Sequence, residues 1–128
     1  MNGADNEWSE QGLHYFAAGH GAGVPGAGTA MVGRGRAGAV SWGTEVEIDI
    51  GLADDGTVAE LRWRCHGCPA VQAACSWIAE QAPGMQPRAL LEYSAVCVAD
   101  ALALPPARLG VLLVVEDALR AAVASVAE

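Results

Sequence analysis

A strict alternation of apolar and polar residues over 45–52 constrains the fold of this chain more than any other feature. The segment EVEIDIGL has its apolar residues at every second position: Val46, Ile48, Ile50 and Leu52. Because successive side chains of a β-strand point to opposite faces, this pattern predicts a strand with one buried and one solvated face.

The residues on either side of this strand predict an antiparallel sheet. Asp54-Asp55-Gly56 is a hairpin-turn sequence, and a second strand is expected from Thr57 to Arg64. Its alternation breaks at Glu60-Leu61, which indicates a bulge. Two antiparallel strands alone are only marginally stable, so a third strand is expected from the stretch before Trp42.

Helical patterns dominate the rest of the chain. Helices are expected over 7–18 with Ser9 as the cap, over 70–81, over 87–93, over 94–101 and over 107–126, the last with a deeply buried first half. Between the first helix and the strands, residues 19–38 contain eight glycines, which predicts a loop. The order of strands and then helices predicts a single α+β domain over 1–128, a three-stranded antiparallel sheet with helices packed on one face.

Composition excludes several functional classes. The 128 residues carry 7 Lys+Arg against 15 Asp+Glu, a formal net charge of −8, so a basic surface for nucleic acid is not expected. Apolar residues make up 52%, which excludes wholesale disorder. Uninterrupted apolar runs are shorter than the roughly 18 residues of a membrane span, and the acidic first residues do not resemble a signal peptide. We therefore expect a cytoplasmic protein without a membrane segment.

The cysteines are the residues with the clearest chemical potential. Cys65 and Cys68 form a CxxC pair, the minimal spacing with which two thiolates bind one metal or form one disulfide, and the helix start after Cys68 favours a thiolate there. Cys75 would lie two turns further along, about 10 Å away, and Cys97 belongs to another helix. Metal ligands, reactive thiols and small buried side chains all remain open for these residues.

Acid–base catalysis has little support in the sequence. His14 and His20 have no acidic residue at a useful spacing, and Glu116 and Asp117 are adjacent on a helix and so point in different directions. We therefore do not expect an enzyme.

The order of the motifs resembles a known family over almost the whole chain. Trp8-Ser9-Glu10, Ala30-Met31-Val32-Gly33, the hairpin, His66-Gly67-Cys68, Leu104-Pro105-Pro106-Ala107-Arg108 and Glu116-Asp117-Ala118 are similar to segments of the iron–sulfur cluster assembly scaffolds IscU, SufU and the N-terminal domain of NifU. The resemblance implies that family's fold. It also implies that Leu104, Pro105, Pro106, Ala107 and Arg108 form the docking segment for an Hsp70-type chaperone.

The departures from the family pattern concern the ligands. Members of the family hold a cluster or zinc with three cysteines and an Asp or His, and Cys68 is the one cysteine that carries over. The other positions read Trp42 and Thr44, and Gly110 and Val111. The Trp42 ring is expected to occupy the place of the metal.

Several hypotheses about function follow. Cys68, Cys65 and Cys75 are tentative ligands of a rearranged iron–sulfur cluster, or of a four-thiolate site bridged by a homodimer. Alternatively, the chain is a docking module for a cysteine desulfurase, a chaperone or another scaffold. A third hypothesis is a metal-free thiol carrier, in which Cys68 accepts persulfide sulfur and Cys65 resolves it. A structural zinc site is a further alternative.

Overall fold

The computed structural model describes residues 9–25 and 31–126. Seven helices and strands follow one another in the order α1 (Glu10–Ala18), β1 (Met31–Ala39), β2 (Thr44–Leu52), β3 (Val58–His66), α2 (Pro69–Gln81), α3 (Ala95–Ala101) and α4 (Leu109–Val126). Short 3₁₀ segments lie at Val40–Trp42, Pro87–Glu92 and Pro106–Arg108. In the described ranges, no helix has both the length and the apolar character that a bilayer crossing requires.

The three strands form one antiparallel sheet in the order β1-β2-β3, as the sequence predicts. Val46, Ile48 and Ile50 of β2 are at most 1% exposed, and α2 and α4 cover this face of the sheet. Gly51 pairs with Glu60 and Leu52 with Val58, so the irregularity lies at residue 59, slightly before the predicted position. The α+β fold with helices on one face is therefore confirmed.

The opposite face of the sheet is not uniformly solvated. Asp49 is 0% exposed, because its two carboxylate oxygens accept hydrogen bonds from Arg34 Nε and Arg64 Nη2, both at 2.7 Å. Arg64 also binds Glu47 at 2.7 Å. Burial opposes ionisation of Asp49, yet the two arginine hydrogen bonds hold its pKa below the usual value. A paired, buried carboxylate thus joins all three strands.

The glycine-rich stretch is a strand over much of its length, so the loop prediction is wrong for residues 31–38. Gly33 and Gly35 of β1 face α4, and a Cβ atom on Gly35 would lie 2.2 Å from both the Ala118 carbonyl oxygen and the Ala122 amide nitrogen. The glycines therefore provide space for a close helix–strand contact rather than flexibility.

The first part of the same stretch covers an edge of the sheet. Gly19 ends α1 in the left-handed conformation, with φ 57°. Gly21 then accepts a hydrogen bond from the Trp63 amide at 3.0 Å, and Gly23 donates one to the Trp63 carbonyl at 2.9 Å. The outer edge of β3 is thereby paired at Trp63. Residues 26–30 of the predicted loop lie outside the described residues.

Capping residues account for the helix boundaries. Ser9 accepts a hydrogen bond from the Gly12 amide at 2.9 Å at the start of α1, and Ser94 accepts one from the Cys97 amide at the start of α3. Ser9 Oγ also donates to the Leu102 carbonyl. Residues 7 and 8 of the predicted first helix lie outside the described residues. The short predicted helix at 87–93 is a 3₁₀ helix over Pro87–Glu92.

The prediction of a deeply buried first half of α4 is wrong. Leu112 and Val115 are buried, but Leu113 is 51% exposed and Gly110 is exposed. The apolar residues of this segment continue all round the helix, whereas the sheet covers only one stripe of it. An apolar surface therefore remains open at the start of α4.

Candidate functional site

Three chain connections meet at one end of the sheet. Cys65 pairs with Val46, so the end of β3 lies beside the start of β2. A Cβ atom on Gly67 would lie 3.5 Å from Thr44 Cγ2 and 3.5 Å from Val71 Cγ2, which places the β3–α2 connection against β2. The start of α4 reaches the same end, because Gly38 lies against both the Thr44 carbonyl and the Val114 side chain.

Cys65 and Cys68 lie within this end of the molecule. Cys65 is the penultimate residue of β3, and Cys68 is the residue before α2. The Cys68 carbonyl oxygen accepts a hydrogen bond from the Val71 amide at 3.0 Å. Both are free thiols of intermediate exposure that pack against the core. Burial, with a smaller effect of the neighbouring Cys68, raises the pKa of Cys65 to about 11. Cys65 is therefore a protonated thiol at neutral pH.

The other two cysteines differ from this pair. Cys75 is 1% exposed, and burial raises the pKa of its thiol well above the ordinary value, so it remains protonated inside the core. Cys97 lies on α3 near Tyr93, whose pKa is raised by burial and by that cysteine. Cys97 is thus part of a different environment.

The structure does not bring Cys65, Cys68 and Cys75 together as ligands of one metal ion within a chain. Among residues 9–25 and 31–126, no group of three or more His, Cys, Asp or Glu side chains is arranged to hold a metal ion. Iron–sulfur clusters and structural zinc are usually held by four ligands, largely thiolates. Cys65 and Cys68 supply two thiols, so the donor set of a single chain does not fit either group.

Trp42 does not occupy the place of a metal, and that expectation is wrong. Its side chain is 78% exposed, on the 3₁₀ turn that joins β1 to β2. Gly43 closes this turn in the left-handed conformation with φ 88°, and residues 40–43 are all exposed. Thr44 is buried, Gly110 is exposed and Val111 is partly buried against the core. These family positions therefore carry no metal-binding side chain.

The segment 104–108 combines an anchored start with an exposed middle. Leu104 is buried, and its amide donates to the Ala99 carbonyl at 2.9 Å. Pro106 and Ala107 are exposed at the start of the 3₁₀ turn that leads to α4. The two residues are accessible to a partner in the folded chain.

Three polar contacts join residues that are distant in the sequence and that the sequence did not predict to be partners. His20 Nε2 lies 3.3 Å from Glu80 Oε2, and the Tyr15 hydroxyl donates to Glu80 Oε1 at 2.6 Å. The expectation that His20 lacks an acidic partner is therefore wrong, and no local spacing could have shown a partner 60 residues away. Glu116 accepts the Ala95 amide at 2.8 Å, so it caps α3.

A known protein family matches nearly the whole chain. The model of the NifU-like N terminal domain matches residues 9–128. The chain belongs to this family. The resemblance of its motifs to IscU, SufU and NifU is thereby confirmed.

Similar proteins include named scaffolds. The iron–sulfur cluster assembly scaffold protein IscU of Rickettsia prowazekii is 31% identical over 93 residues, which are 73% of this chain and 71% of that protein. IscU of Escherichia coli K12 is 31% identical over 96 residues, 73% of each chain.

Solved structures support the same fold. The crystal structure of FiSufU from Fervidobacterium islandicum AW-1 matches with a TM-score of 0.66 at 20% identity, over 94% of this chain and 99% of that one. A nitrogen-fixing NifU-like protein (N-terminal) from Brucella abortus matches with a TM-score of 0.57 at 16% identity, over 96% of this chain and 86% of that one.

Proposed function

We propose that this chain handles sulfur during iron–sulfur cluster assembly, with Cys68 as the sulfur acceptor and Cys65 as the resolving thiol. The observation that carries the proposal is the presence of these two half-buried thiols at the end of the sheet. The other family ligand positions read Trp42, Thr44, Gly110 and Val111, which offer no metal-binding side chain. The IscU relatives support a role in cluster assembly. Two thiols per chain support sulfur transfer better than cluster construction within one chain.

The first step transfers sulfur to Cys68. The Cys68 thiolate attacks the outer sulfur of a persulfide carried by a cysteine desulfurase. A sulfur–sulfur bond forms on Cys68 while the bond on the desulfurase breaks, and the desulfurase cysteine leaves as a thiolate.

The second step releases the sulfur as sulfide. Cys65 attacks the inner sulfur of the Cys68 persulfide, a Cys65–Cys68 disulfide forms, and the outer sulfur departs as hydrosulfide, which takes the proton of Cys65. The outer sulfur gains two electrons, and the thiol pair loses them. A dithiol reductant then restores both thiols. Because the pKa of Cys65 is about 11, release is slow at neutral pH and the persulfide persists long enough to be carried.

A docking role is a second candidate, and exposed Trp42 favours it. Large aromatic side chains contribute strongly to protein interfaces, and this one is 78% exposed on the turn at the same end of the sheet as the thiol pair. The exposed Pro106 and Ala107 support contact with an Hsp70-type chaperone. Another scaffold that receives the sulfide is a further partner under this proposal.

The test is anaerobic purification after co-expression with a cysteine desulfurase. We expect a colourless protein with one extra sulfur atom on Cys68 by mass spectrometry. Cys68→Ser removes that sulfur, Cys65→Ser increases its occupancy and slows sulfide release, and Cys97→Ser is the matched control without effect. A brown protein with near-stoichiometric iron and sulfide, lost in Cys68→Ser, would instead establish a cluster on a rearranged ligand set, with dimer formation showing whether a second chain supplies thiolates.

A further inference from the structure

A groove lies on the half of α4 that is remote from the thiol pair. It encloses about 530 Å³ between the 3₁₀ helix Pro87–Glu92 and the last two turns of α4. Leu91, Val123 and Val126 are among its apolar lining residues, and Arg88 and Arg120 add two guanidinium groups. Its volume falls within the range of about 300–1,000 Å³ that is usual for small-molecule sites.

The charge of this groove contrasts with the rest of the molecule. The chain has a net charge of −8, yet the groove lining includes two of its seven basic residues and no acidic residue among those that the structure describes. Arg120 Nε is bound by Glu116 at 3.0 Å, which leaves part of its guanidinium available.

Arg88 differs from the other arginines of the chain. Among the described residues, five of them form salt bridges with carboxylates: Arg34, Arg36, Arg62, Arg64 and Arg120. Arg108 also has an interaction partner. Arg88 is exposed and has no salt bridge or hydrogen bond within residues 9–25 and 31–126. An unpaired cation at the rim of an apolar groove is complementary to a ligand with one anionic and one apolar end.

We infer that this groove binds a small amphipathic anion, an acyl carboxylate of medium length, with its carboxylate on Arg88 and its chain along Leu91, Val123 and Val126. Guanidinium groups bind carboxylates through two parallel hydrogen bonds, which gives the headgroup a defined position. The stretch of α4 from Arg120 to Val126 is about 9 Å long, which suits an acyl chain better than a bound helix of several turns.

The test is titration of the full chain with octanoate, followed by amide chemical shifts in NMR spectra. We expect shifts at Leu91 and Val123, and a dissociation constant at least about tenfold higher for the Arg88→Gln variant, because a charged hydrogen-bonded pair is lost. Octanol, which has the same chain without the charge, is expected to bind at least about tenfold more weakly. Arg62→Gln is the matched control, since Arg62 is paired with Glu60 outside the groove.

Four results would overturn the inference, and three of them concern octanoate itself. These are no octanoate binding at millimolar concentration, equal affinities for octanoate and octanol, and an unchanged affinity in Arg88→Gln. Preference for an acidic, apolar peptide over octanoate would likewise overturn it and mark the groove as a protein-docking site. Because Cys65 and Cys68 lie elsewhere, their serine variants leave octanoate binding intact, so this test is independent of the sulfur chemistry.

Discussion

The contact between β1 and α4 leads to a sharp prediction for Gly35→Ala. Gly35 pairs with Ile48 in the sheet and faces α4. A Cβ atom there would lie 2.2 Å from the Ala118 carbonyl oxygen and 2.2 Å from the Ala122 amide nitrogen. Both are backbone atoms within a helix, so a change of side-chain rotamer cannot relieve the clash.

The size of the effect follows from this distance. Real Cβ atoms essentially never approach another heavy atom within 3.0 Å, so strand and helix must separate by about 0.8 Å. A gap of that size removes a quarter to a half of the dispersion energy of the atoms that line it. Overpacking typically lowers the free energy of unfolding by about 1–3 kcal/mol. Because Gly35→Ala meets two rigid backbone atoms, we expect a loss of about 3 kcal/mol, at the upper end of this range. The corresponding fall in Tm is about 10 °C.

Urea denaturation with circular dichroism measures the free energy of unfolding of the variant. Gly110→Ala is the control, because a Cβ atom there meets nothing within 4 Å and alanine favours a helix over glycine. We expect the control to be unchanged or more stable by about 0.5 kcal/mol. If Gly35→Ala unfolds within about 0.5 kcal/mol of the parent at an unchanged m-value, the proposed close packing is refuted.

Three other predictions follow. Asp49→Asn is expected to lose about 2 kcal/mol at pH 7, because it leaves two arginines with a neutral partner. Because the pKa of Asp49 is lowered, its contribution to the free energy of unfolding is complete above about pH 4 and is lost as the pH falls through the folded-state pKa. The difference in unfolding free energy between Asp49→Asn and the parent should therefore shrink in acid. A difference that is constant with pH would contradict the pairing. Glu116→Ala removes the acceptor of the Ala95 amide at the start of α3, while Ser94 still caps the Cys97 amide, and should cost about 1 kcal/mol. Accelerated exchange of the Ala95 amide measures this loss, whereas unchanged exchange would contradict the capping role. In a Cys68→Ser, Cys97→Ser background, the rate of Cys65 alkylation should rise about tenfold per pH unit between about pH 8 and 10, because the pKa of Cys65 is about 11. A rate independent of pH would show that the Cys65 thiol is not protonated in this range.

The sheet and most helix boundaries could be predicted because their signals are local. The alternation of β2, the turn at Asp54-Asp55-Gly56 and the capping residues Ser9 and Ser94 each act over a few positions of the chain. The CxxC pair was equally visible in the sequence. Local signals were sufficient wherever the structural cause was itself local.

The errors have the opposite origin. Glycine is compatible with a flexible loop and with a close contact, and only the position of Ala118, 83 residues further along, decides between them for Gly35. The pairing of His20 with Glu80 and the outward orientation of Trp42 also depend on how distant elements meet. The same limit applied to Cys75, whose enclosure in the core follows from the packing of α2.

The glycine contacts of β1 also bear on how such a protein diverges. Gly33 and Gly35 allow α4 to approach β1 closely at Ala118 and Ala122, and none of these is a family ligand position. Substitutions at 42, 110 and 111 can therefore accumulate with little effect on folding, since these positions are not fully enclosed. The surface that carries the chemistry can thus change while the backbone packing that sets the architecture stays the same.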